Sequence, residues 1–415
     1  MKYCTIVGFA VLFFLVPLLL QAQEGDAPQT SAIPVTESKR TAILTAAKAL
    51  RAEDLPELHR KGEAGDAEAQ LLLGLAYLDG RVVEKNAATS LVWISKAAEQ
   101  GHPMAQNSLG IAYRDGRGTQ QNHAEALRWM HKAADQNYSQ AYCNLGLAYY
   151  NGQGVPENPA EAVNWFRKAV EHDNACGQTM LGVAYAQGRG VAKDSKQAIE
   201  LYRNAAEQGD ADGQLELAIS YDMGFGIKRD AAQAARWYGA AADQDNLWAM
   251  YNLAVSYHNG EGVPKSKDEA EKWFKKASDS GWAPATYYLG KIYADKKFQT
   301  SPLTGSIAVE LFEKSAEQGY SLGALQLADI FSSRLTAYHL WVPRDDAKAC
   351  RWLLVARGLS KNDEWEWFRP DDSAIVRKEL PGRIAKIEKK LKQGFGECEK
   401  SAAEWLRAHQ TKPGS

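Results

Sequence analysis

No charge excess of either sign marks this 415-residue chain: 49 Lys and Arg stand against 51 Asp and Glu. A nucleic-acid footprint shows a basic excess, so no nucleic-acid partner is expected. There is no His-Glu-x-x-His, no Ser-x-x-Lys and no Walker loop. Those absences remove the familiar spacings for zinc hydrolysis, for one serine acyl transfer and for phosphate cradling. The eight histidines are scattered, and His123 and His131, two helical turns apart, read as solvated rather than metal-bound. No catalytic residue, metal or cofactor is expected, and the chain is read as a non-enzyme. The C-terminal Thr-Lys-Pro-Gly-Ser is no retention tetrapeptide, so residence in the endoplasmic reticulum has no support.

Long apolar runs are absent except for one, Cys4 to Leu20. Lys2 precedes it and the small residue Ala22 follows, so residues 1–22 read as a cleaved signal peptide. The alternative is a retained anchor, and the run is at the short edge of the roughly 17–25 residues a spanning helix needs. No other segment is expected to span a membrane. Cysteine is scarce: apart from Cys4 there are Cys143, Cys176, Cys350 and Cys398. Export would permit disulfides. Cys143 and Cys176 fall in adjacent repeats, and Cys350 and Cys398 in the last repeat and the tail expected to cover it. Each pair is a candidate bridge, but spacing leaves connectivity open, and buried free thiols remain the alternative.

What the chain has in abundance is itself. Residues 23–40 are polar, carry Pro28 and Pro34, and read as a flexible linker. Residues 41–64 show helical periodicity, broken near Pro56, and suit an N-terminal cap. From Gly65 a unit recurs. Gly74, Gly110, Gly146 and Gly182 keep one step (110 − 74 = 36), as do Tyr77, Tyr113, Tyr149, Tyr185, Tyr221, Tyr257 and Tyr293. Trp93, Trp129, Trp165, Trp237 and Trp273 follow the same register, with Leu201 interrupting. A fixed period of this size means a stacked array. Each unit reads as two helices joined by a Gly-x-Gly turn. The first helix carries small residues where the partner helix must come close. The array runs over residues 65–357, and residues 358–415 read as a C-terminal cap, with one long helix from Arg383 to His409 open to breakage at Gly394 and Gly396.

The pattern Ala-x-x-x-Leu-Gly-x-x-Tyr-x-x-Gly-x-Gly-Val, then Ala-x-x-Trp-x-x-Lys-Ala-Ala, resembles the Sel1-like repeat, a relative of the tetratricopeptide repeat. The resemblance implies an all-α, right-handed α-solenoid superhelix of about eight antiparallel helix pairs. It implies a concave face that binds a protein or peptide, in the manner of a scaffold, adaptor or regulator. It also favours a bacterial, periplasmic or secreted protein. A peptidoglycan-binding or cell-wall-modifying protein is the alternative reading. Departures occur at Val82, where the second turn glycine is missing, and at Lys296, Phe298, Arg334 and Thr336 in the last two turns.

A ligand must be met at positions the repeat leaves free. One series is Glu68, Met104, Gln140, Cys176, Asp212, Trp248; another is Leu71, Asn107, Cys143, Thr179, Leu215, Tyr251, Tyr287; beside them stand Asn144, Glu216, Asn252 and Tyr288. Repeats six and seven concentrate aromatics there. Trp248, Tyr251, Tyr287 and Tyr288, rimmed by Asn252 and His258, are the expected partner-binding residues, because exposed aromatics with a polar rim make a hot spot. The competing reading is that these rings fill space between repeats. Oligomeric state is left open.

Overall fold

The computed structural model describes residues 37–295, 302–332, 344–361, 370–391 and 394–409. The signal segment, most of the linker, and the turn positions Lys296, Phe298, Arg334 and Thr336 lie outside the described residues. Every regular element among the described residues is helical. The chain divides into two compact units at Lys228 and Arg229.

The first unit opens with α1 (Glu37–Ala49), a single 3-10 turn (Ala52–Asp54) and α2 (Leu55–Glu63). Asp54 stands at the N-cap of α2 and Pro56 in its first turn, where a missing N–H costs nothing. Helix pairs then follow: α3 (Ala67–Asp79) with α4 (Ala87–Glu99), α5 (Pro103–Asp115) with α6 (His123–Ala134), α7 (Ser139–Asn151) with α8 (Pro159–Glu171), and α9 (Ala175–Gln187) with α10 (Ser195–Glu207). Helix α11 (Ala211–Met223) packs on α10 and α9.

The boundaries have local causes. Asn86, Asn122, Asn158 and Asp194 are extended residues whose side chains accept N–H bonds from the first turns of α4, α6, α8 and α10. A cap of this kind contributes about 1 kcal/mol. The first helices end on left-handed glycines such as Gly152, φ 68°, a conformation other residues resist. The second turn glycine answers a different need. Gly154 has φ 78°, and a Cβ there would lie 2.6 Å from the His123 Cβ at the start of the preceding second helix. That explains Val82. By register the helix before it would begin at residue 51, but there a 3-10 turn over Ala52–Asp54 stands in place of the first α-helical turn and α2 begins only at Leu55, so the backbone that would crowd this position differs.

Within each pair, the small residue of the first helix sits under a bulky side chain of the second. A Cβ on Gly110 would come within 2.7 Å of the Met130 Cγ, and one on Gly182 within 2.7 Å of the Tyr202 Cε1. Gly146 faces Phe166 in the same way. The result is a core that runs from Leu71 to Ala184, including Leu109, Met130, Leu145, Phe166 and Leu181, with Leu58, Ala69, Leu73 and Trp93 as a separate cluster. Trp93 and Trp129 are buried, and Lys96 and Lys132 lie over their rings at 4.2 and 4.1 Å. A polar ladder runs beside the core. Gln70 donates to the Gly62 carbonyl, Gln100 donates to Gln70 at 2.7 Å, and Gln136 donates to Gln106 at 2.7 Å. In the third repeat Tyr142 and His172 take these places and meet ring to ring at 5.5 Å.

The second unit contains α12 (Ala231–Ala242), α13 (Leu247–Asn259), α14 (Lys267–Asp279), α15 (Ala283–Ala294), α16 (Pro302–Glu317), α17 (Ser321–Phe331) and α18 (Asp346–Leu359). Its end is covered by α19 (Pro370–Leu391) and α20 (Phe395–His409). The helix expected from Arg383 to His409 is divided where its glycines allow, between α19 and α20, and differs in that α19 begins earlier, at Pro370, and passes through Pro381. Val376, Leu380, Ile384, Ile387, Cys398 and Ala402 are buried against α17 and α18. The partly buried Arg383 is bonded to Asp329.

Two disulfides are present. Cys143–Cys176 joins α7 to α9, first helices of consecutive repeats, and Cys350–Cys398 ties α20 to α18; the Cα–Cα distance is 6.1 Å in each.

Three outcomes follow for stability. Gly182→Ala should cost about 1–3 kcal/mol in urea unfolding, because its methyl meets the Tyr202 ring. Gly239→Ala should instead stabilise by up to about 1 kcal/mol, since that helical glycine has open space around it. The double variant Cys143→Ala with Cys176→Ala should lose about 2–4 kcal/mol, and peptide mapping without reductant should recover only the pairs 143–176 and 350–398.

Candidate interaction surface

The free positions of the first helices are not uniformly free. In the first unit Leu71 is fully buried, and Asn144 donates to Asn107 at 2.8 Å across the repeat boundary. One repeat on, Cys143 is bonded to Cys176; one further, the Thr179 hydroxyl donates to Asp210 at 2.8 Å. Neighbouring first helices therefore use these positions to hold one another.

Helix α11 departs from that pattern. Asp212 is exposed and Glu216, one turn on, is half-buried. Burial raises both carboxyls, Glu216 up to about 8, and each is pushed further by an acidic neighbour: Asp210 acts on Asp212, and Asp212 on Glu216. Desolvation and like charge act in the same direction on an acid. Tyr202 of α10 is 1% exposed and its hydroxyl has no hydrogen-bond partner; burial first, then the charge of Glu216, raises it well above the usual phenol range.

In the second unit the expected aromatics form a tryptophan pair and a tyrosine–phenylalanine cluster. Trp248 is half-buried and meets Trp282 edge-on at 6.1 Å. Tyr251 packs on Phe274 at 5.7 Å and on Tyr288 at 5.6 Å, and Tyr288 stacks on Phe274 at 5.8 Å. Tyr287 meets Tyr288, Phe312 and Tyr320. The expectation of exposed rings is corrected at two positions: Tyr251 is 1% and Tyr287 7% exposed, because each reaches across to the second helix and fills the space between repeats. Trp248, Asn252 and Tyr288 are half-buried and His258 is exposed. Partial burial, then Lys265 and Lys291, hold the His258 imidazole below its usual range. Lys291 lies over Tyr288 at 5.3 Å. Phe274, Trp282 and Lys291 belong to these groups but not to the free series. The first two sit at positions that look like plain core, so periodicity alone gives no signal for them.

Elsewhere in this unit, a groove of about 580 Å³ lies among α12, α13 and α14, lined by Gly239, Ala240, Tyr257 and Trp273 with Arg236, Asp243, Glu269 and Lys272. Its charges are mixed and converge on no point. Gly319-Tyr320-Ser321-Leu322-Gly323 spells a Gly-x-Ser-x-Gly hydrolase spacing. Ser321, however, is 1% exposed and opens α17 directly after α16, with no strand before it, so the nucleophile elbow geometry is missing. Among the described residues no three His, Cys, Asp or Glu side chains are grouped to hold a metal. No helix among them is long and apolar enough to cross a membrane.

Comparison with known proteins agrees with the repeat register. The family model for the Sel1 repeat matches residues 67–102, 103–138, 139–174, 177–210, 211–246, 249–282, 305–320 and 337–356. A Sel1 repeat protein from Oxalobacter formigenes is 35% identical over 57% of this chain and 96% of its own, with a TM-score of 0.47. A protective antigen of uropathogenic Escherichia coli strains, displaying an SLR fold, is 27% identical over 88% of this chain and 98% of its own, TM-score 0.36. A putative Sel1 repeat protein from Klebsiella pneumoniae is 23% identical over 49% of this chain and 98% of its own, TM-score 0.36. No curated protein matches the chain.

The raised acid on α11 has a measurable consequence. The Glu216 carboxyl titrates near 4.5 when unfolded and about 8 when folded. Between those values the native state holds a proton the unfolded state has lost, so this group's contribution falls as pH rises from about 4.5 to 8 and then levels. Glu216→Gln should remove that slope: its stability advantage over the wild type should grow across this window in urea unfolding and be flat above it.

Proposed function

Because the chain belongs to the Sel1 repeat family, we propose that it is an exported interaction scaffold that holds a protein or peptide on the first-helix face around α13 and α15. Sel1 repeat proteins are generally protein–protein interaction scaffolds. The observation that carries the reading for this chain is the half-buried set Trp248, Asn252 and Tyr288, with exposed His258 at its rim. Tyr251 and Tyr287 serve it from beneath. Their buried rings, together with Phe274 and Phe312, fix the orientation of Tyr288 before a partner arrives. A preorganised aromatic surface loses less side-chain freedom on binding than a flexible one. Two disulfides and the apolar run from Cys4 to Leu20 support an oxidising, exported location. The resemblance read from the sequence favours a bacterial periplasm or medium.

Crosslinked capture from the native envelope tests the surface. Trp248→Ala with Asn252→Ala should weaken capture by about 2 kcal/mol, roughly 30-fold, while thermal unfolding stays close to that of the wild type. Undiminished capture by the double variant would sink the surface. The secreted or periplasmic fraction should contain protein whose N-terminus begins near Gln23; an intact Met1 there would overturn the export reading.

A further inference from the structure

We propose that the groove among α12, α13 and α14 is a docking site for a histidine side chain of a bound polypeptide, received between the Trp273 ring and Asp243. The inference rests on the scaffold reading only in that the histidine belongs to the polypeptide being held. It uses different residues, most of them on second helices.

The protein builds the occupied version of this site itself. On α6 the His131 imidazole is half-buried and meets Trp165 of α8 edge-on at 5.6 Å. Asp135, one turn on, acts on its charge, and Lys168 lies over the same indole at 4.2 Å. His59 of α2 meets Trp93 of α4 in the same way at 5.7 Å. Three repeats on from His131, Asp135, Trp165 and Lys168 stand Gly239, Asp243, Trp273 and Lys276. The indole wall, the acid and the lysine are kept, and the imidazole is gone.

The gap is wider than one side chain. Repeats one to six carry Ser95, His131, Arg167, Arg203, Gly239 and Lys275 at this position, so residue 239 alone has no side chain. Two neighbours are pared down with it. Ala235 stands where the three preceding repeats have Leu127, Val163 and Ile199, and Ala240 where they have Lys132, Lys168 and Asn204. A glycine inside a helix is destabilising. At Gly74, Gly110, Gly146 and Gly182 a bulky side chain at close range explains it, whereas a Cβ on Gly239 would meet nothing within 4 Å. The groove of about 580 Å³ is lined by Ala235, Gly239 and Ala240 together with Trp273. Its charges narrow the occupant. Arg236 and Asp243 of α12, and Glu269 and Lys272 of α14, give it both signs, and Glu269 already accepts from Lys272 at 3.2 Å. An ion of either sign meets its own charge there. A neutral imidazole donates from one ring nitrogen and accepts on the other. It can therefore donate to Asp243 and accept from Arg236 or Lys272 at once. Its ring edge also carries the positive charge that an indole face attracts.

Saturation-transfer NMR on the full mature chain tests the groove. The probe is Nα-acetylhistidine methylamide, titrated beside the corresponding phenylalanine and arginine amides. The histidine amide should bind in the millimolar range, about fivefold more tightly than either of the others. Gly239→His supplies the imidazole from the chain itself, as His131 does, and should weaken binding about tenfold while melting no lower than the wild type. Gly239→Ala, which leaves the groove open, should bind within about twofold of the wild type. Asp243→Asn should weaken binding severalfold with an unchanged melt. No binding by the wild type, equal or tighter binding of the phenylalanine or arginine amide, or unchanged binding by Gly239→His or by Asp243→Asn would overturn the proposal. The pair Trp248→Ala with Asn252→Ala separates the two ideas. If it loses envelope capture while the wild type fails to bind the histidine amide, the groove fails and the scaffold stands. If it captures normally, the aromatic surface fails, and the amide titration still judges the groove.

Discussion

The close approach of a first helix to its own second helix is the constraint on which the rest of this structure depends. It is met by leaving out side-chain atoms on one side and supplying a ring or long aliphatic chain on the other. Gly110 under Met130, Gly146 under Phe166, Gly182 under Tyr202 and Gly290 under Phe312 are the same device repeated. Glycine in a helix costs about 1 kcal/mol against alanine. Here the cost is offset by the bulky side chain it lets in; Ala218, Ala254 and Ala328 take the same register in the other three repeats. The second turn glycine extends the device from one repeat to the next, and its loss at Val82 falls where the preceding helix starts late.

Once helices are this close, their first-helix neighbours are close too, and the free positions become a zone of cross-repeat bonds. Asn107 with Asn144, Cys143 with Cys176, and Thr179 with Asp210 are three chemical solutions to one geometric situation. A side chain tied to its neighbour in this way is poorly placed to bind anything else. Attention therefore moves to places where the solution changes: α11, where Asp212 and Glu216 are raised by burial and by acidic neighbours, and α13 with α15, where aromatic rings pack on one another. Function is expected where local rules are broken without a structural return.

The repeat, its register and the helix pairs were legible in the residues, because each is set by short-range rules that recur at one period. The aromatic concentration in repeats six and seven was also legible as a concentration. Its division into buried and half-buried rings was not, since Tyr287 and Tyr288 are adjacent free positions yet one fills the core and the other rims it. Glu216 stood in the free series as one polar residue among several. Its raised pKa came from burial and from Asp212 one turn away.

Sequence alone determined that this chain is an array of stacked helix pairs, because small and aromatic residues recur at one fixed period, and the motif's resemblance pointed to the Sel1-like repeat. Tertiary structure decided which cysteines meet, that the C-terminal helix is two helices, that the hydrolase-like serine at position 321 is sealed inside, and which free positions remain open. The physical reason is that a period specifies which residues face the next helix, while exposure and uncompensated charge depend on the size and sign of every side chain that the neighbouring helices bring alongside.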